Sequence, residues 1–291
     1  MDYFSIFIQM LQAKGVTDNT RRSYKTYIKP YLSYLSAHSI SPDDASWQVM
    51  REFLLWIQSD RGLCDRTVNM IISYLQFFHM YVLHKPWDKT QIPFRKFNVY
   101  LPFVPSRNEV QTFISSMEDP KARLAVSMLY ATGLRLDELC HLQCKDIISS
   151  SRKIHVSDSK NHQDRYVPLP DMIWKMILSY YYNLPADMKP DTWLFTQQCS
   201  TKNPMDKQWL QKIFLDKRRE LGMSEDFVCH SLRHAYATHS YENGMDLLTL
   251  KSFLGHKSLN STSIYVHLAA SSMSKTPNPF EQIGGVFLGQ L

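Results

Sequence analysis

The sequence predicts a mainly α-helical protein with a small β-sheet, built as a helical domain followed by a mixed α+β domain. Apolar residues recur at three- and four-residue intervals over most of the chain, which is the period of an amphipathic helix. Residues 85–105 have no period and hold four prolines, as expected of an interdomain linker. Two short runs further on, RKIHVSD and RYVPLP, alternate apolar and polar residues as strands do.

The predicted boundaries are residues 1–84 for the helical domain, 85–105 for the linker, 106–274 for the second domain and 275–291 for a C-terminal tail. We expect four helices in the first domain. One long helix begins after a cap at Asp18 or Asn19, reaches about Ser39 and is kinked at Pro30. Two further segments, at residues 46–57 and 65–84, carry apolar residues at helical spacing.

Basic and aromatic residues alternate along the start of the long helix. The basic members of this stripe are Arg21, Arg22, Lys25 and Lys29, and the tyrosines between them are Tyr24 and Tyr27. Such an arrangement is suited to lie along the phosphates of a nucleic acid. A solvated helix face explains the four cations equally well, so both interpretations stay open.

The second domain opens on a helix capped by Ser106 or Asn108, and a second, apolar helix ends at Gly133. A new helix starts at once with Arg135 at its N-terminus. A cation is unfavourable at the positive end of a helix dipole, so Arg135 either points elsewhere or meets an anion that the helix end also attracts. A surface ion pair with Glu138 is the simpler alternative.

The two alternating runs flank SKNHQ and predict a β-hairpin with Lys160 in its turn. A lysine at a loop tip is usually solvated, but it also serves as a mobile finger that reaches into a neighbouring cleft. Two amphipathic helices are expected after the hairpin, over residues 171–184 and 207–221.

The segment CHSLRHAYATHSYENG, residues 229–244, places His230 and Arg233 three positions apart, hence on one helical face where both can meet one ligand. The next helix stops at Gly255, so His256 and Tyr265 belong to different elements. Nine positions apart in one straight helix, their side chains would lie on opposite faces. The break lets both approach one site.

Composition narrows the class of protein. A chain of 291 residues with 44% hydrophobic content is long enough to bury two cores. The N-terminal residues lack a secretory signal and no apolar run is long enough to cross a membrane, so a cytoplasmic location is expected. The net charge of +6 permits a polyanionic partner. Five cysteines without CxxC spacing favour reduced thiols.

No metal or other cofactor is expected. In CHLQC, Cys140 and Cys144 lie one helical turn apart without a second ligand pair, which favours core thiols over zinc. The carboxylates near the motifs show no spacing that compels a two-metal site, which argues against a metal-dependent nuclease; they are Asp137, Glu138, Asp158 and Asp164.

Taken in order, ATGLRLDEL, SKNHQDRYVPLP, HSLRH, LGH and the following Tyr265 resemble the tyrosine recombinase (phage integrase) family, including its Xer-type members. The resemblance covers the second domain, and the first domain resembles the family's core-binding domain more loosely. Its motifs are specific because six positions agree in register. One departure is that SKNHQ lacks the glycines that often flank the hairpin lysine.

The resemblance implies a role for each matching residue. Tyr265 matches the nucleophile, and Arg135 and Arg233 match the arginines that clamp the scissile phosphate. Lys160 matches the general acid for the 5′ hydroxyl. The remaining matches are His230 for proton transfer from the tyrosine, His256 for a bond to a phosphate oxygen, and Glu138 for support of the site. His234 and His239 are additional candidates for site histidines but are interpreted as structural.

The resemblance further implies a site-specific DNA recombinase that works through a 3′-phosphotyrosine. Its partners would be double-stranded DNA with paired half-sites, other copies of the chain in a synaptic tetramer, and possible accessory proteins. The tail would pass to the next protomer. Two alternatives stay open: an inactive DNA-binding or directionality protein of the same fold, and a type IB topoisomerase.

Overall fold

In the computed structural model, residues 2–98, 100–157, 164–197 and 200–269 are described, and the chain divides into two units between Tyr100 and Leu101. The first unit contains four helices, as predicted. They are α1 (Tyr3–Ala13), α2 (Asp18–Ala37), α3 (Trp47–Arg61) and α4 (Asp65–Tyr81). Their core is rich in buried aromatic and aliphatic side chains, among them Phe7, Ile28, Phe53 and Phe78.

The start of α2 differs from the prediction. Thr17 caps this helix, because its side-chain oxygen accepts a hydrogen bond from the N–H of Thr20. Asp18 and Asn19 already lie inside the helix, so assigning the cap to either of them was wrong. Asp18 instead pairs with Arg21 one turn on, where a carboxylate favours the positive end of the helix. The helix continues through Pro30.

The described part of residues 85–105 contains no helix or strand. Ile92 is nevertheless buried in the core of the first unit. The side-chain amide of Asn69 exchanges two hydrogen bonds with the backbone of Arg95, at 2.9 and 2.7 Å. Further on, Phe103 and Val104 pack against the core of the second unit. The proline-rich stretch therefore contributes side chains to each core rather than being a free tether.

The second unit is mixed α+β, which confirms the predicted fold class. Its helices are α5 (Arg107–Ser115), α6 (Pro120–Thr132), α7 (Leu136–Cys140), α8 (Asp171–Asn183), α9 (Lys207–Glu220), α10 (Cys229–Glu242), α11 (Leu247–Leu254) and α12 (Asn260–Leu268). Helices α6 and α10 pack together and supply much of the core. Ser106 and Glu109 form a capping box at the start of α5, so Ser106 rather than Asn108 is the cap.

The predicted hairpin is present as β2 (Lys153–Val156) and β3 (Arg165–Pro168), paired antiparallel with Ile154 opposite Val167. A short strand β1 (Ile147–Ile148) adds to β2. The two-stranded sheet of β4 (Thr196–Gln197) and β5 (Ser200–Pro204) was not anticipated. The prediction that Lys160 lies in the turn concerns residues 158–163, which are outside the described residues.

Two glycines end helices in the left-handed conformation, as predicted. Gly133 follows α6 with φ of 64°, and Gly255 follows α11 with φ of 62°. A side chain at Gly133 would also collide with the ring of Tyr236, 2.4 Å from the position of an added Cβ. These breaks let α7 and α12 leave the directions of the preceding helices.

The described cysteines carry free thiols; Cys140 and Cys229 are buried. Within the described ranges, no group of three or more acidic, histidine or cysteine side chains is arranged to hold a metal ion. None of the helices built from described residues is long and apolar enough to cross a bilayer. The predicted tail, residues 275–291, lies beyond the described residues.

Candidate active site

The structure brings five of the six predicted catalytic side chains into one region of the second unit. The turn after α6 supplies Arg135, helix α10 supplies His230 and Arg233, the turn after α11 supplies His256, and α12 supplies Tyr265. The sixth side chain, Lys160, is not among the described residues. Glu138 joins the group from the first turn of α7.

Arg135 lies at the start of α7 and pairs with the buried carboxylate of Glu138, which offsets the unfavourable position of a cation there. Its backbone N–H donates to Glu138 Oε2 at 2.8 Å, and its Nη1 donates to Glu138 Oε1 at 2.6 Å. Nη2 donates to the carbonyl of Gly255 at 3.4 Å. The side chain of Glu138 is only 8% exposed. The pair is therefore part of the protein interior rather than a surface ion pair.

Arg165 is a second partner of Glu138 that the sequence interpretation missed. Its guanidinium donates to both carboxylate oxygens, at 3.0 and 2.7 Å, and its Nε donates to the carbonyl of Phe253 at 2.7 Å. A signal existed, because Arg165 occupies an inward position in the alternation of β3. An arginine at such a position needs a buried acceptor.

The pKa of Glu138 reflects these contacts. Desolvation on burial would raise the pKa, but the hydrogen bonds and charge of Arg165, followed by those of Arg135, outweigh it and lower the pKa to about 2. Glu138 is therefore a carboxylate at neutral pH and holds both guanidinium groups in place.

Arg233 is almost completely buried, with 2% of its surface exposed. Its guanidinium donates to the carbonyl of Gly133 at 2.6 Å and to the carbonyl of Leu254, which are the residues that end α6 and α11. Burial, followed by the charge of Arg135, lowers the pKa of Arg233. Arg135 and Arg165 thus share the carboxylate of Glu138, whereas Arg233 donates to backbone carbonyls. The surplus positive charge of the three guanidinium groups favours an anionic ligand.

Tyr265 is buried beside this charge, with 2% exposure, and its hydroxyl lies 3.1 Å from Nδ1 of His234. Desolvation raises the pKa of the phenol, while Arg233 and Arg135 act in the opposite direction. Interpreting His234 as structural overlooked this contact. His230, Arg233 and His234 occupy positions i, i+3 and i+4 of α10, so the spacing alone places them on one helical face.

The two other histidines lie at the edges of the site. Nδ1 of His256 is 2.9 Å from the hydroxyl of Thr262, and its ring stacks 6.4 Å from that of Tyr265. His230 is solvent-exposed and its ring stands perpendicular to that of His234 at 4.7 Å. Burial, followed by Arg233, lowers the pKa of His256 to about 4. Partial desolvation, followed by Arg233 and Arg135, also lowers the pKa of His230.

His239 lies outside this constellation. Its Nδ1 is 3.0 Å from the hydroxyl of Tyr130 on α6, and its carbonyl accepts from Arg107 on α5. These contacts tie three helices of the second unit together, which is the structural role that the sequence indicated.

The basic stripe of α2 is divided by the fold. Tyr24 and Tyr27 are partly buried, because they pack against the core of the first unit. Arg22 and Lys29 are exposed, whereas Arg21 and Lys25 are partly covered. The ammonium of Lys29 lies 5.0 Å from the ring centre of Phe4. The stripe therefore offers cations for phosphate contacts, while part of each tyrosine is engaged by the core.

Comparison with known proteins identifies the family. The model of the phage integrase family matches residues 106–272, more than half of the chain. The chain belongs to the phage integrase family. A second model, the phage integrase N-terminal SAM-like domain, matches residues 4–89. The resemblance inferred from the sequence motifs is confirmed.

Two curated relatives extend over almost the whole chain. A putative integrase/recombinase, y4qK of Sinorhizobium fredii, is 28% identical over 93% of this chain and 86% of that protein. The tyrosine recombinase XerD of Staphylococcus aureus is 27% identical over 94% of this chain and 95% of its own length. With the family match, they identify this recombinase as Xer-like. Enzymes of this class cleave and rejoin DNA.

Solved structures show the same fold. The integrase of transposon Tn1549 in complex with transposon right end DNA aligns with a TM-score of 0.77 and 20% identity, covering 98% of this chain and 100% of that chain. The recombinase XerH bound to a palindromic difH substrate aligns with a TM-score of 0.70 and 21% identity, covering 89% and 79%.

Proposed function

We propose that this recombinase exchanges DNA strands at specific sites through a covalent 3′-phosphotyrosine on Tyr265. The observation that supports this most strongly is the surplus of positive charge beside a buried phenol. Arg135 and Arg165 pair with the carboxylate of Glu138, and the buried guanidinium of Arg233 beside them donates to the carbonyls of Gly133 and Leu254. A desolvated cluster of this kind binds a phosphodiester far more strongly than a solvated one, since charges interact more strongly where water is excluded.

In the cleavage step, Oη of Tyr265 forms a bond to phosphorus and the bond from phosphorus to the 5′ oxygen breaks. The products are a 3′-phosphotyrosine and a 5′ hydroxyl. Religation by a 5′ hydroxyl reverses both changes, so the energy of the phosphodiester is retained and ATP is not needed. The phenol has an ordinary pKa of about 10 and is a weak nucleophile until its proton is removed.

Arg135 and Arg233 would hold the two non-bridging oxygens of the scissile phosphate. A planar fork of donors matches this task, and each preorganised donor typically contributes about 3 kcal/mol to the transition state. His256 would donate to one of these oxygens. For His230 the resemblance implies proton transfer from the tyrosine, but no hydrogen bond joins His230 to Tyr265 among the described residues. We assign Lys160 as the general acid that protonates the departing 5′ oxygen.

Tyr265 must be uncovered before it attacks, because its phenol is buried in the described conformation. Helix α12 is a separate element after the break at Gly255, held through the bonds of Tyr265 to His234 and of Thr262 to His256. Binding of DNA would uncover the hydroxyl for the phosphate while His234 stays within hydrogen-bond reach of it.

Recombination also requires partners. We propose that the DNA partner is a duplex with paired half-sites, on which four copies of this chain form a synaptic tetramer. Residues 275–291 would make the contact between protomers. The reaction would take place in the cytoplasm, with accessory proteins where the DNA site requires them. The stripe of Arg21, Arg22, Lys25 and Lys29 would contact phosphates from the first unit. Relatives of the same fold were solved bound to their DNA sites, which supports a DNA partner.

The test uses the full chain and duplex fragments that flank its gene. Denaturation during the reaction traps covalent protein–DNA adducts, whose ends map the cleaved site. We expect adducts with the wild-type chain in the presence of EDTA, and none with Tyr265→Phe, which keeps the ring but lacks the nucleophilic oxygen.

Pairs of mapped fragments then separate the alternatives. Recombinant joints between two fragments support the proposal. Relaxation of supercoiled plasmid without joints identifies a topoisomerase, and binding without any adduct identifies a DNA-binding protein that has lost activity. Adducts that require magnesium would contradict the metal-free chemistry.

A further inference from the structure

The contact between His234 and Tyr265 gives the nucleophile a specific neighbour. Nδ1 of His234 lies 3.1 Å from the phenolic oxygen, which is within the range of a hydrogen bond. Among the described residues, no hydrogen bond joins Tyr265 to His230. Nδ1 of the remaining histidine, His256, is already engaged with Thr262.

The surroundings favour a neutral imidazole that accepts the phenolic proton. Burial, followed by the charges of His230 and Arg233, lowers the pKa of His234 to about 4. The ring is therefore uncharged at neutral pH, with one nitrogen that donates and one that accepts. A proton on Nε2 leaves Nδ1 as the acceptor facing Tyr265.

We infer that His234 is the catalytic residue that removes the proton of Tyr265 during cleavage and returns it during religation. The inference rests on the proposed function. The proton moves from Oη to Nδ1 while Oη bonds to phosphorus, the bond to the 5′ oxygen breaks, and that oxygen takes its proton from Lys160. Each proton is returned in the reverse reaction, so the chain ends unchanged.

The cations near His234 restrict proton transfer from Tyr265 to the complex with DNA. Protonation of His234 would place a further positive charge beside Arg233, one of the two guanidinium groups of the clamp, which is unfavourable in a buried site. A phosphate bound between the two guanidinium groups supplies negative charge, which favours the protonated ring. Tyr265 is thus activated when its substrate is present and remains a neutral phenol otherwise.

The first experiment needs no DNA. Nitrogen-15 labelling of the histidines of the full chain reports which ring nitrogen carries the proton, and His234→Asn assigns the resonance. At neutral pH we expect Nδ1 of His234 to be unprotonated, and its shift to change in Tyr265→Phe, where the hydrogen-bond donor is lost. A protonated Nδ1 in the wild-type chain would overturn the inference.

The second experiment measures the rate of adduct formation on a mapped fragment. His234→Asn keeps an acceptor near the position of Nδ1 but cannot take a proton, and we expect it to slow cleavage by about 100-fold. The matched control is His239→Asn on the same helix. It also breaks a histidine–tyrosine contact, with Tyr130, and should leave the rate within about threefold of wild type.

A rescue separates proton transfer from positioning. Replacing Tyr265 with 3,5-difluorotyrosine lowers the pKa of the phenol, so that much of it is ionised without a base. In this background we expect His234→Asn to lose less than about tenfold. A full loss in both backgrounds, or no loss in either, contradicts the inference. A wild-type chain that forms no adduct contradicts the proposed function instead, and the labelling result still decides the state of His234.

Discussion

Glu138 shows how one carboxylate organises a cationic site. It accepts hydrogen bonds from the backbone and side chain of Arg135 and from the guanidinium of Arg165. Its position three residues after Arg135 agrees with the i, i+3 ion pair that the sequence suggested. Glu138 is buried, and Arg165 lies on a strand 27 residues further along the chain. The ion pair between them therefore holds two elements of the site together and is not a surface contact.

The depressed pKa of Glu138 makes stability depend on pH. A carboxyl whose pKa falls from 4.5 to about 2 on folding contributes about 3 kcal/mol at neutral pH. This contribution is present above about pH 5 and is lost as the pH falls through about 2. We predict that Glu138→Gln destabilises the second unit at pH 7 and that the difference from wild type shrinks steadily below pH 5.

Hydrogen exchange in increasing urea measures the free energy of unfolding of each unit separately and so tests this prediction. Asp171→Asn is the control, since Asp171 forms an exposed ion pair with Arg152, and it should change stability by no more than about 1 kcal/mol. Equal effects of the two substitutions at pH 7 would refute the buried network as a source of stability.

A substitution at Arg135 tests whether this side chain clamps the scissile phosphate. Lysine preserves the charge but not the planar fork, so Arg135→Lys should slow adduct formation at least about tenfold while DNA binding persists. Arg152→Lys, at an arginine that pairs with Asp171 on the surface, serves as the control. Comparable rates for the two variants would argue against bidentate recognition of the phosphate by Arg135.

At the scale of elements, Lys160 belongs to the sequence between β2 and β3. These two strands pair in register. If Lys160 protonates the 5′ oxygen, a substrate with a sulfur at that bridging position needs no general acid. We predict that Lys160→Ala is severely slowed on normal DNA and largely restored on the sulfur-containing substrate.

Lys153→Ala on β2 of the same hairpin is the control for lost positive charge, and it should behave like wild type on both substrates. Equal defects of Lys160→Ala with oxygen and sulfur leaving groups would remove Lys160 from the role of acid.

The basic stripe of helix α2 is proposed to contact DNA phosphates. Removing Arg21, Arg22 and Lys25 together should weaken DNA binding and reduce its salt dependence, with each lost phosphate contact lowering the log–log slope by about 0.9. Binding titrations over a series of salt concentrations measure the slope. Removing Arg61, Lys89 and Lys96, three exposed cations of the same unit, controls for net charge. An unchanged slope in the triple variant would make the stripe an ordinary solvated face.

The helices of this protein can be predicted closely from local sequence, because the periodicity of apolar residues and the capping residues are recognisable within short segments. Gly133 and Gly255 end their helices where predicted, and Ser106 begins α5. The short strands β4 and β5 escaped prediction because runs of two and five residues carry too little alternation. Thr17 was missed as a cap because Asp18 beside it is an equally good capping residue.

For the molecule as a whole, motifs in register predicted the family and the residues of the site, but not how they contact one another. Strand alternation and helical spacing marked Arg165 and His234, but only the fold showed that they contact Glu138 and Tyr265. Both contacts join residues far apart in the chain, 27 and 31 positions respectively. Periodicity and spacing report neighbours along an element, whereas such long-range pairs depend on the packing of several elements.

The proposed recombination requires Tyr265 to form a 3′ linkage to DNA, and one measurement tests this directly. Adducts of the full chain with a mapped fragment are digested with nuclease and trypsin and sequenced by tandem mass spectrometry. In parallel, the released strand is labelled with polynucleotide kinase without prior phosphatase treatment. We predict a nucleotide on Tyr265 in the peptide of residues 258–275 and a released strand that accepts label at its free 5′ hydroxyl. A nucleotide on any other residue, or a 5′ end that is blocked by protein, would contradict the account.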